Sequence, residues 1–195
     1  MERALMDRDL LLLILAILAF GLALNLHLSL GVLRRTRAER EMAARPALVP
    51  GDQAPRVSAR RLGERGRESL LPDGQACAVL FLASGCDKCR GRLPEVASLL
   101  PGAAAAGLAL RIASLDPAFR VRRFLAGTPL AASAYRLRTR DYQSLNPRLA
   151  SPAYLFVNHQ GGIEAAGLIG DENWQSLAEQ LAHGAEAARP EAAAA

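Results

Sequence analysis

The sequence predicts an α/β domain that follows a single membrane-spanning helix. Residues 10–33 carry no formal charge and consist mainly of Leu, Ile and Ala. Further along, an apolar run at 78–83 leads directly into Ser84-Gly85-Cys86-Asp87-Lys88-Cys89. Apolar, strand-like segments and amphipathic, helix-like segments then alternate to about residue 181. Such alternation is the pattern of a sheet flanked by helices.

The uncharged segment is long enough to cross a membrane. As a helix, its roughly 24 residues would span about 36 Å, which exceeds the thickness of a hydrocarbon core. A cleaved signal peptide is the rival interpretation, but the apolar part is long for one, and no clear small-x-small site follows it before Arg34. We therefore predict a short tail at 1–9, an uncleaved anchor at 10–33 and a stalk or linker at 34–50.

Positive charge is concentrated in arginine. The chain has 24 Lys and Arg residues against 19 Asp and Glu, and Lys88 is the only lysine. No interleaving of basic and aromatic side chains indicates base stacking, so we expect no nucleic-acid partner. More arginines follow the apolar segment than precede it, which by the positive-inside rule favours a cytoplasmic position for the rest of the chain.

The soluble domain is placed at 51–183. Weak alternation over 56–71 predicts a short hairpin or an extended edge. Residues 75–83 are apolar on both faces, as expected of a strand buried between helices. Cys77 lies in this strand, and we expect it to be a small core residue.

The next helix is predicted over 86–100, with Cys86 at its start and Cys89 one turn later. A thiolate at a helix start is favoured by the unpaired backbone N–H groups and by the positive end of the helix dipole. One thiol of such a pair can attack a partner and the other can resolve the mixed disulfide. Pro94 is expected to kink this helix, and Pro101-Gly102 to end it.

Two other roles are open to the cysteine pair. A structural zinc site needs a second pair of ligands, and Cys77 and the three histidines offer none at ligand spacing. Inert core cysteines are the second alternative, because Cys is among the most often buried residues. A redox pair fits best, since CxxC between a strand and a helix is typical of thioredoxin-type proteins. We expect neither a metal nor a cofactor.

The remaining elements continue the alternation. A strand is predicted over 107–115, followed by a helix that Asp116-Pro117 caps and whose apolar face includes Phe119. The stretch 130–149 is expected to hold a short strand and a helix. Three of its arginines are interpreted as a solvated face rather than as a docking site, which is the alternative: Arg136, Arg138 and Arg140.

Ser151-Pro152 leads into a predicted hairpin of strands at 153–157 and 163–168. A proline just before a strand is well placed for a cis peptide bond. Asp171 is expected to cap a last helix, and the Ala-rich tail at 184–195 to be disordered.

With the elements in this order, residues 50–181 resemble the thioredoxin fold. Within that fold they are most similar to membrane-anchored bacterial proteins of the TlpA/ResA type and to the thioredoxin-like protein of methylamine dehydrogenase maturation. The resemblance rests on Cys86-Asp87-Lys88-Cys89, on Pro94, on Ser151-Pro152, on Gly51-Asp52-Gln53-Ala54-Pro55 and on Gly167-Leu168-Ile169-Gly170.

The resemblance implies that Cys86 is the attacking thiol and Cys89 the resolving thiol. The residues that it implies for the substrate groove are Gly85, Ser151 and Pro152, beside which an extended peptide would pair with the backbone. Those that it implies for tuning the motif are Asp87, Lys88 and Pro94.

The chain also departs from the family pattern. Gly85 stands where thioredoxins usually carry tryptophan, and Leu80 stands where they carry a buried carboxylate that takes the resolving thiol's proton. Between the cysteines, Asp87 disfavours a neighbouring thiolate and Lys88 favours it, which leaves the direction of electron flow open.

By resemblance, the chain is an inner-membrane thiol–disulfide oxidoreductase whose domain faces the periplasm. It would assist disulfide formation or isomerisation in a partner such as a methylamine dehydrogenase subunit, with residues 10–33 in the membrane. A reductase of apocytochrome or of other thiol proteins is the alternative enzyme, and a tethered module that holds a partner or Cu(I) is the non-enzymatic one. Disulfide chemistry suits an oxidising compartment, which favours the periplasm. The arginines that follow the apolar segment favour the cytoplasm, so the two observations disagree.

Overall fold

The computed structural model of the protein describes residues 2–43 and 48–192. The chain divides into two compact units, Met1–Arg45 and Pro46–Ala195. The first unit contains one helix, α1 (Glu2–Ala43). Within α1, the stretch Leu12–Arg37 is long and apolar enough to cross a membrane, and its large side chains are exposed, Leu22 by 74%. The predicted tail, anchor and first part of the stalk thus form one continuous helix, while 44–47 lie outside the described residues.

In the second unit, the described strands form one mixed sheet in the order β2-β1-β5-β4-β3-β6-β7. Strands β3, β4 and β5 run parallel, and β1, β6 and β7 are antiparallel to their neighbours. The bounds of the strands are β1 (Ser58–Arg61), β2 (Glu68–Ser69), β3 (Cys77–Phe81), β4 (Ala109–Ser114), β5 (Ala134–Arg136), β6 (Ala153–Val157) and β7 (Ile163–Leu168). The predicted hairpin over 56–71 is confirmed by the pairing of Ser58 with Ser69.

Helices cover both faces of this sheet. Their bounds are α2 (Asp87–Ser98), α3 (Leu100–Ala105), α4 (Ala118–Phe124), α5 (Thr139–Leu145) and α6 (Glu172–Ala192), with a 3-10 turn at Pro129–Ser133. One core forms where α2, α3, α4 and α6 meet one face of the sheet, and it includes Leu80 and Cys89. A second core on the other face contains Phe81 and the α5 side chains Tyr142 and Leu145. Strand β3 is buried throughout because it lies between these two cores.

The predicted end of the first domain helix at Pro101-Gly102 is wrong. α2 ends at Ser98, and both residues lie inside the next helix, α3. A proline is compatible with the first turn of a helix, where its missing N–H would have no intrahelical partner. Gly102 is required for a different reason, since a Cβ there would overlap the carbonyl oxygen of Leu181 in α6.

Two expectations for the fourth helix are also wrong. Asp116 does not cap α4, whose N-cap is Pro117, because its carboxylate instead accepts the backbone N–H of Ser84 at 2.7 Å. Phe119 is 69% exposed, whereas Val121 and Phe124 face the core. The short helix therefore buries a narrower stripe than its apolar residues indicate.

The carboxyl-terminal part follows the prediction until its last segment. β5 and α5 supply the short strand and helix expected over 130–149, and Asp171 Oδ1 accepts the backbone N–H of Trp174 at 2.9 Å as the predicted cap. α6 extends to Ala192, so residues 184–192 are helical rather than disordered. Alanine and glutamate are strong helix formers, which explains the continuation. Residues 193–195 lie outside the described residues.

Candidate functional site

The two cysteines lie where β3 ends and α2 begins. A tight turn connects β3 to α2, and it is closed by the hydrogen bond from the Cys86 N–H to the Ala83 carbonyl at 3.2 Å. The Asp116 carboxylate holds the Ser84 N–H from the neighbouring strand connection. The sequence of a buried strand, a small-residue turn and a helix thus fixes Cys86 at the carboxyl-terminal edge of the sheet.

Cys86 is the N-cap residue of α2. Its sulfur accepts the backbone N–H of Cys89 at 3.3 Å, which satisfies one of the donors left free in the first turn of a helix. The same bond holds the Cys86 sulfur at the amino-terminal end of α2, which is the positive end of the helix dipole. Cys86 is partly exposed, while Cys89 is fully buried one turn further along. An incoming disulfide can therefore reach Cys86 but not Cys89.

The loop before β6 closes over both sulfurs. The Ser151–Pro152 peptide bond is cis, as predicted. The Cys86 thiol points to the Ser151 carbonyl at 3.8 Å, and the Cys89 sulfur lies 3.0 Å from the Ser151 hydroxyl oxygen. That hydroxyl also donates to the Phe81 carbonyl at 3.3 Å, which ties the loop to the end of β3. Ser151 thus contacts both thiols. The family resemblance implies that this loop faces the cysteine pair, but the contact of the Ser151 hydroxyl with the buried Cys89 was not foreseen.

Burial is the main reason that the pKa of the Cys89 thiol is raised above its ordinary value, and the hydrogen bond with Cys86 adds to the effect. The Ser151 hydroxyl acts in the opposite direction, because its single proton, which otherwise goes to the Phe81 carbonyl, can be donated to a Cys89 thiolate. The buried Cys89 thiol therefore stays protonated at neutral pH, and Ser151 is the side chain that eases its ionisation.

Ser151→Ala is expected to raise the pKa of Cys89 further, because it removes a hydroxyl that can donate a hydrogen bond to the Cys89 thiolate. The measurement is the pH dependence of thiolate ultraviolet absorbance in a Cys86→Ser background, where Cys86 no longer titrates. Ser98→Ala is the matched control, since its hydroxyl bonds only the Glu95 carbonyl. If the pKa of Cys89 were the same with and without the Ser151 hydroxyl, the role of this hydroxyl in lowering that pKa would be contradicted.

A buried amide fixes the approach to this loop. Asn146 is only 6% exposed; its side-chain nitrogen donates to the Ala150 carbonyl at 2.8 Å, and its oxygen accepts the Ala150 N–H at 3.0 Å. Tyr142 lies beside it on α5, with its ring edge-on to Phe81. Burial raises the pKa of Tyr142 to about 12, so it stays protonated. No side-chain pattern in the sequence indicates this clamp, because Asn146 bonds backbone atoms of Ala150.

Glu95 is the acidic residue of α2 whose relation to Cys89 the sequence left open. Its carboxylate pairs with Arg92 at 2.7 Å and accepts the indole N–H of Trp174 at 2.6 Å. Burial by itself would raise the pKa of Glu95, but the hydrogen bonds from Trp174 and Arg92 outweigh it and lower the pKa. Glu95 thus ties α2 to α6 as an anion, and no hydrogen bond joins it to Cys89.

Cys77 lies in β3 among core residues and is 1% exposed. Burial raises its pKa to about 12, against an ordinary 9.0. Because the thiol is more easily ionised in the unfolded chain, stability is complete below about pH 9 and is lost as pH rises toward 12, by roughly 4 kcal/mol in total. We expect Cys77→Ala to flatten the fall in unfolding free energy over this interval. Tyrosine titration contributes equally to the wild type and to Cys77→Ala, so it cancels in the comparison. Parallel curves of unfolding free energy against pH for the two proteins would contradict the effect of Cys77.

The other residues singled out from the sequence are distributed around the pair. Gly85 is exposed, and a Cβ there would meet nothing within 4 Å, which leaves open space beside Cys86. Asp87 and Lys88 are exposed in the first turn of α2, and Pro94 lies inside α2 without ending it. Within the described part of the chain, no group of three or more His, Cys, Asp or Glu side chains is arranged to hold a metal ion.

Comparison with known proteins gives structural likeness alone. No protein-family model and no curated protein matches the chain. The thioredoxin domain of a thiol-disulfide oxidoreductase from Bacteroides vulgatus is 19% identical with a TM-score of 0.58, covering 69% of this chain and 99% of that one. A protein described as the thiol:disulfide interchange protein DsbE from Chlorobium tepidum is 20% identical with a TM-score of 0.59, covering 71% and 99%.

The same architecture also occurs outside these two proteins. A peroxiredoxin-like protein from Aquifex aeolicus is 15% identical with a TM-score of 0.57, covering 72% of this chain and 90% of that one. At such identities the likeness establishes the fold. Together with the mixed sheet and its flanking helices, it confirms the predicted thioredoxin fold.

Proposed function

We propose that this thioredoxin-fold chain is a membrane-anchored thiol–disulfide oxidoreductase, with Cys86 as its attacking thiol and Cys89 as its resolving thiol. The observation that carries the proposal is the asymmetry of the pair: Cys86 is accessible at the start of α2, and Cys89 is buried one turn below it. The thiol–disulfide proteins among the structural neighbours support the same chemistry.

The reaction needs only the two thiols and a partner disulfide. The Cys86 thiolate attacks one partner sulfur, so that a mixed disulfide forms and the partner's other sulfur leaves as a thiolate, which takes up a proton. Cys89 then loses its proton and attacks Cys86, which closes the Cys86–Cys89 disulfide and releases the second partner thiol. Two electrons pass from the chain to the partner, and the reverse sequence oxidises a partner dithiol.

Thiol–disulfide exchange with insulin tests this activity. The full chain in neutral detergent micelles, supplied with dithiothreitol, is expected to accelerate reduction of the insulin disulfides. Cys77→Ala is the matched control, since its thiol is buried away from the site and should leave the rate unchanged. A wild-type rate no higher than that of dithiothreitol alone would refute the proposed function.

The role we propose for the domain is to assist disulfide formation or isomerisation in a periplasmic partner, for which the resemblance suggests a methylamine dehydrogenase subunit. Reduction of partner disulfides, as in an apocytochrome reductase, is the second candidate. A cysteine pair is a strong oxidant when its reduced form is stabilised. Because the pKa of Cys89 is raised, a thiolate at Cys89 does not stabilise the reduced form of this pair. The reduction potential of the cysteine pair separates the two candidates: a value of about −270 mV favours reduction of partner disulfides, and one of about −120 mV favours their formation.

We propose that α1 spans the inner membrane once and that the domain faces the periplasm. The length and apolarity of Leu12–Arg37 support the span, and disulfide chemistry supports the oxidising side. A membrane-impermeant maleimide, applied to reduced cells with a permeabilised outer membrane, should label Cys86. Labelling that requires lysis of the inner membrane would place the domain in the cytoplasm, as the arginine bias favours.

A further inference from the structure

Four arginines line one pocket at the edge of the sheet. The pocket has a volume of about 380 Å³, and its lining comprises Arg60, Arg67, Leu115, Arg136, Leu137, Arg138 and Thr139. Arg60 in β1 and Arg136 in β5 are directly opposite in an antiparallel pair, so their side chains lie on the same face of the sheet. Like charges in that arrangement repel each other, which makes the pairing unfavourable unless an anion is present.

The acidic side chains near this pocket have partners other than Arg60, Arg136 and Arg138. Asp141 pairs with Arg67 at 3.1 Å, and Glu64 pairs with Arg61 at 3.4 Å. Asp116 holds the Ser84 N–H. Among the residues that the structure describes, no ion pair or side-chain hydrogen bond neutralises Arg60, Arg136 or Arg138. Their guanidinium groups are the free positive charges of the pocket, and they are exposed to an incoming ligand.

The pocket lies on the same edge of the sheet as the cysteines. β3, β4 and β5 are parallel, so the turn to Cys86, the residue Leu115 and the end of β5 at Arg136 all occur at their carboxyl ends. The connection is short, because Leu115 lines the pocket and its neighbour Asp116 binds the turn that precedes Cys86. A polypeptide bound at Cys86 can therefore extend over the arginines.

We infer that this arginine pocket binds carboxylate side chains of the protein substrate, and that the enzyme therefore favours acidic segments next to the disulfide it exchanges. The inference rests on the proposed function. Guanidinium groups suit carboxylates, with which they form paired hydrogen bonds. The recessed shape, with Leu115 and Leu137 among its lining residues, fits individual side chains better than a flat lipid surface.

Two peptides that carry the same disulfide test the inference, one flanked by Glu and the other by Gln. In the full chain in neutral detergent micelles, the double variant Arg60→Gln/Arg136→Gln should exchange the Glu peptide roughly five- to tenfold more slowly. Its rate with the Gln peptide should be unchanged, and the wild-type preference for Glu should weaken with added salt. Removing two facing like charges should not lower stability.

Arg56→Gln/Arg65→Gln is the matched control, because it removes the same charge from exposed positions outside the pocket. It should change the Glu-peptide rate less than about twofold; an equal loss would show a general charge effect and overturn the inference. Absence of any preference for Glu over Gln in the wild type would overturn it as well. The inference would also be overturned if Arg60→Gln/Arg136→Gln, hereafter the facing-pair variant, kept this preference but lost affinity for phosphatidylglycerol added to the neutral micelles, since the pocket would then serve lipid headgroups.

Failure of the proposed function can be told apart from failure of the pocket. If neither peptide is exchanged, a fluorescent Glu peptide with serine in place of its cysteines still reports binding by its anisotropy. Roughly five- to tenfold weaker binding to the facing-pair variant than to the control would support the pocket on its own. Equal binding to both variants would reject it.

Discussion

Cys89→Ser is expected to accumulate a mixed disulfide between Cys86 and a substrate protein, whereas Cys86→Ser should trap none. Cys86 is the sulfur that a partner can reach, and removal of Cys89 takes away the thiol that would release the adduct. Turnover should fall by at least about two orders of magnitude in both variants, the scale expected when a covalent nucleophile or its partner is lost. Non-reducing electrophoresis of the full chain with substrate, followed by mass spectrometry, detects the adduct.

The Cys89→Ser substitution is mild for the fold, because serine retains the shape of the side chain and can contact the Ser151 hydroxyl. Cys77→Ser is the control for burying a hydroxyl in place of a core thiol, and it should accumulate no adduct because Cys89 still resolves the mixed disulfide. Adducts of similar yield from Cys86→Ser and Cys89→Ser would show that both thiols are accessible. That result would contradict the division of roles drawn from their burial.

Gly102→Ala is expected to destabilise the domain by roughly 2–3 kcal/mol. A Cβ at Gly102 would overlap the backbone of Leu181, so α3 and α6 would have to separate, and overpacking of this kind is costly. Chemical denaturation followed by the fluorescence of Trp174, the only tryptophan, measures the change in unfolding free energy. The indole is buried in α6 and reports directly on that helix.

Gly91→Ala is the matched substitution in α2. A Cβ there would meet nothing within 4 Å, and alanine favours a helix over glycine, so stability should rise by about 0.5–1 kcal/mol. The two changes are chemically identical and should have opposite signs. A Gly102→Ala protein as stable as the wild type would show that the helices do not meet as closely as described.

The local part of the site could be predicted from the sequence. An apolar strand, a small-residue turn and Cys86 at a helix start are consecutive in the chain, and their conformations follow from hydrophobic pattern and capping. The cis bond at Ser151–Pro152 was also predicted, from its position before a strand and from the family resemblance. These features needed no knowledge of how distant segments meet.

The parts that the sequence did not reveal depend on distant contacts. The Ser151 hydroxyl meets Cys89 across a separation of 62 residues, and the Asp116 carboxylate binds the turn at Ser84 instead of capping α4. Arg60 and Arg136 become neighbours only because β1 pairs with β5. Where local capping and a tertiary hydrogen bond competed for Asp116, the tertiary bond prevailed, and no local pattern carries that information.

The most direct test of the central claim is a redox titration of the full chain in glutathione buffers of graded potential. Alkylation of the remaining thiols and mass spectrometry then identify which cysteines are oxidised. We predict a single two-electron transition that forms the Cys86–Cys89 disulfide and leaves Cys77 alkylatable only after unfolding. A pair that never forms this disulfide, or a disulfide that includes Cys77, would contradict the account.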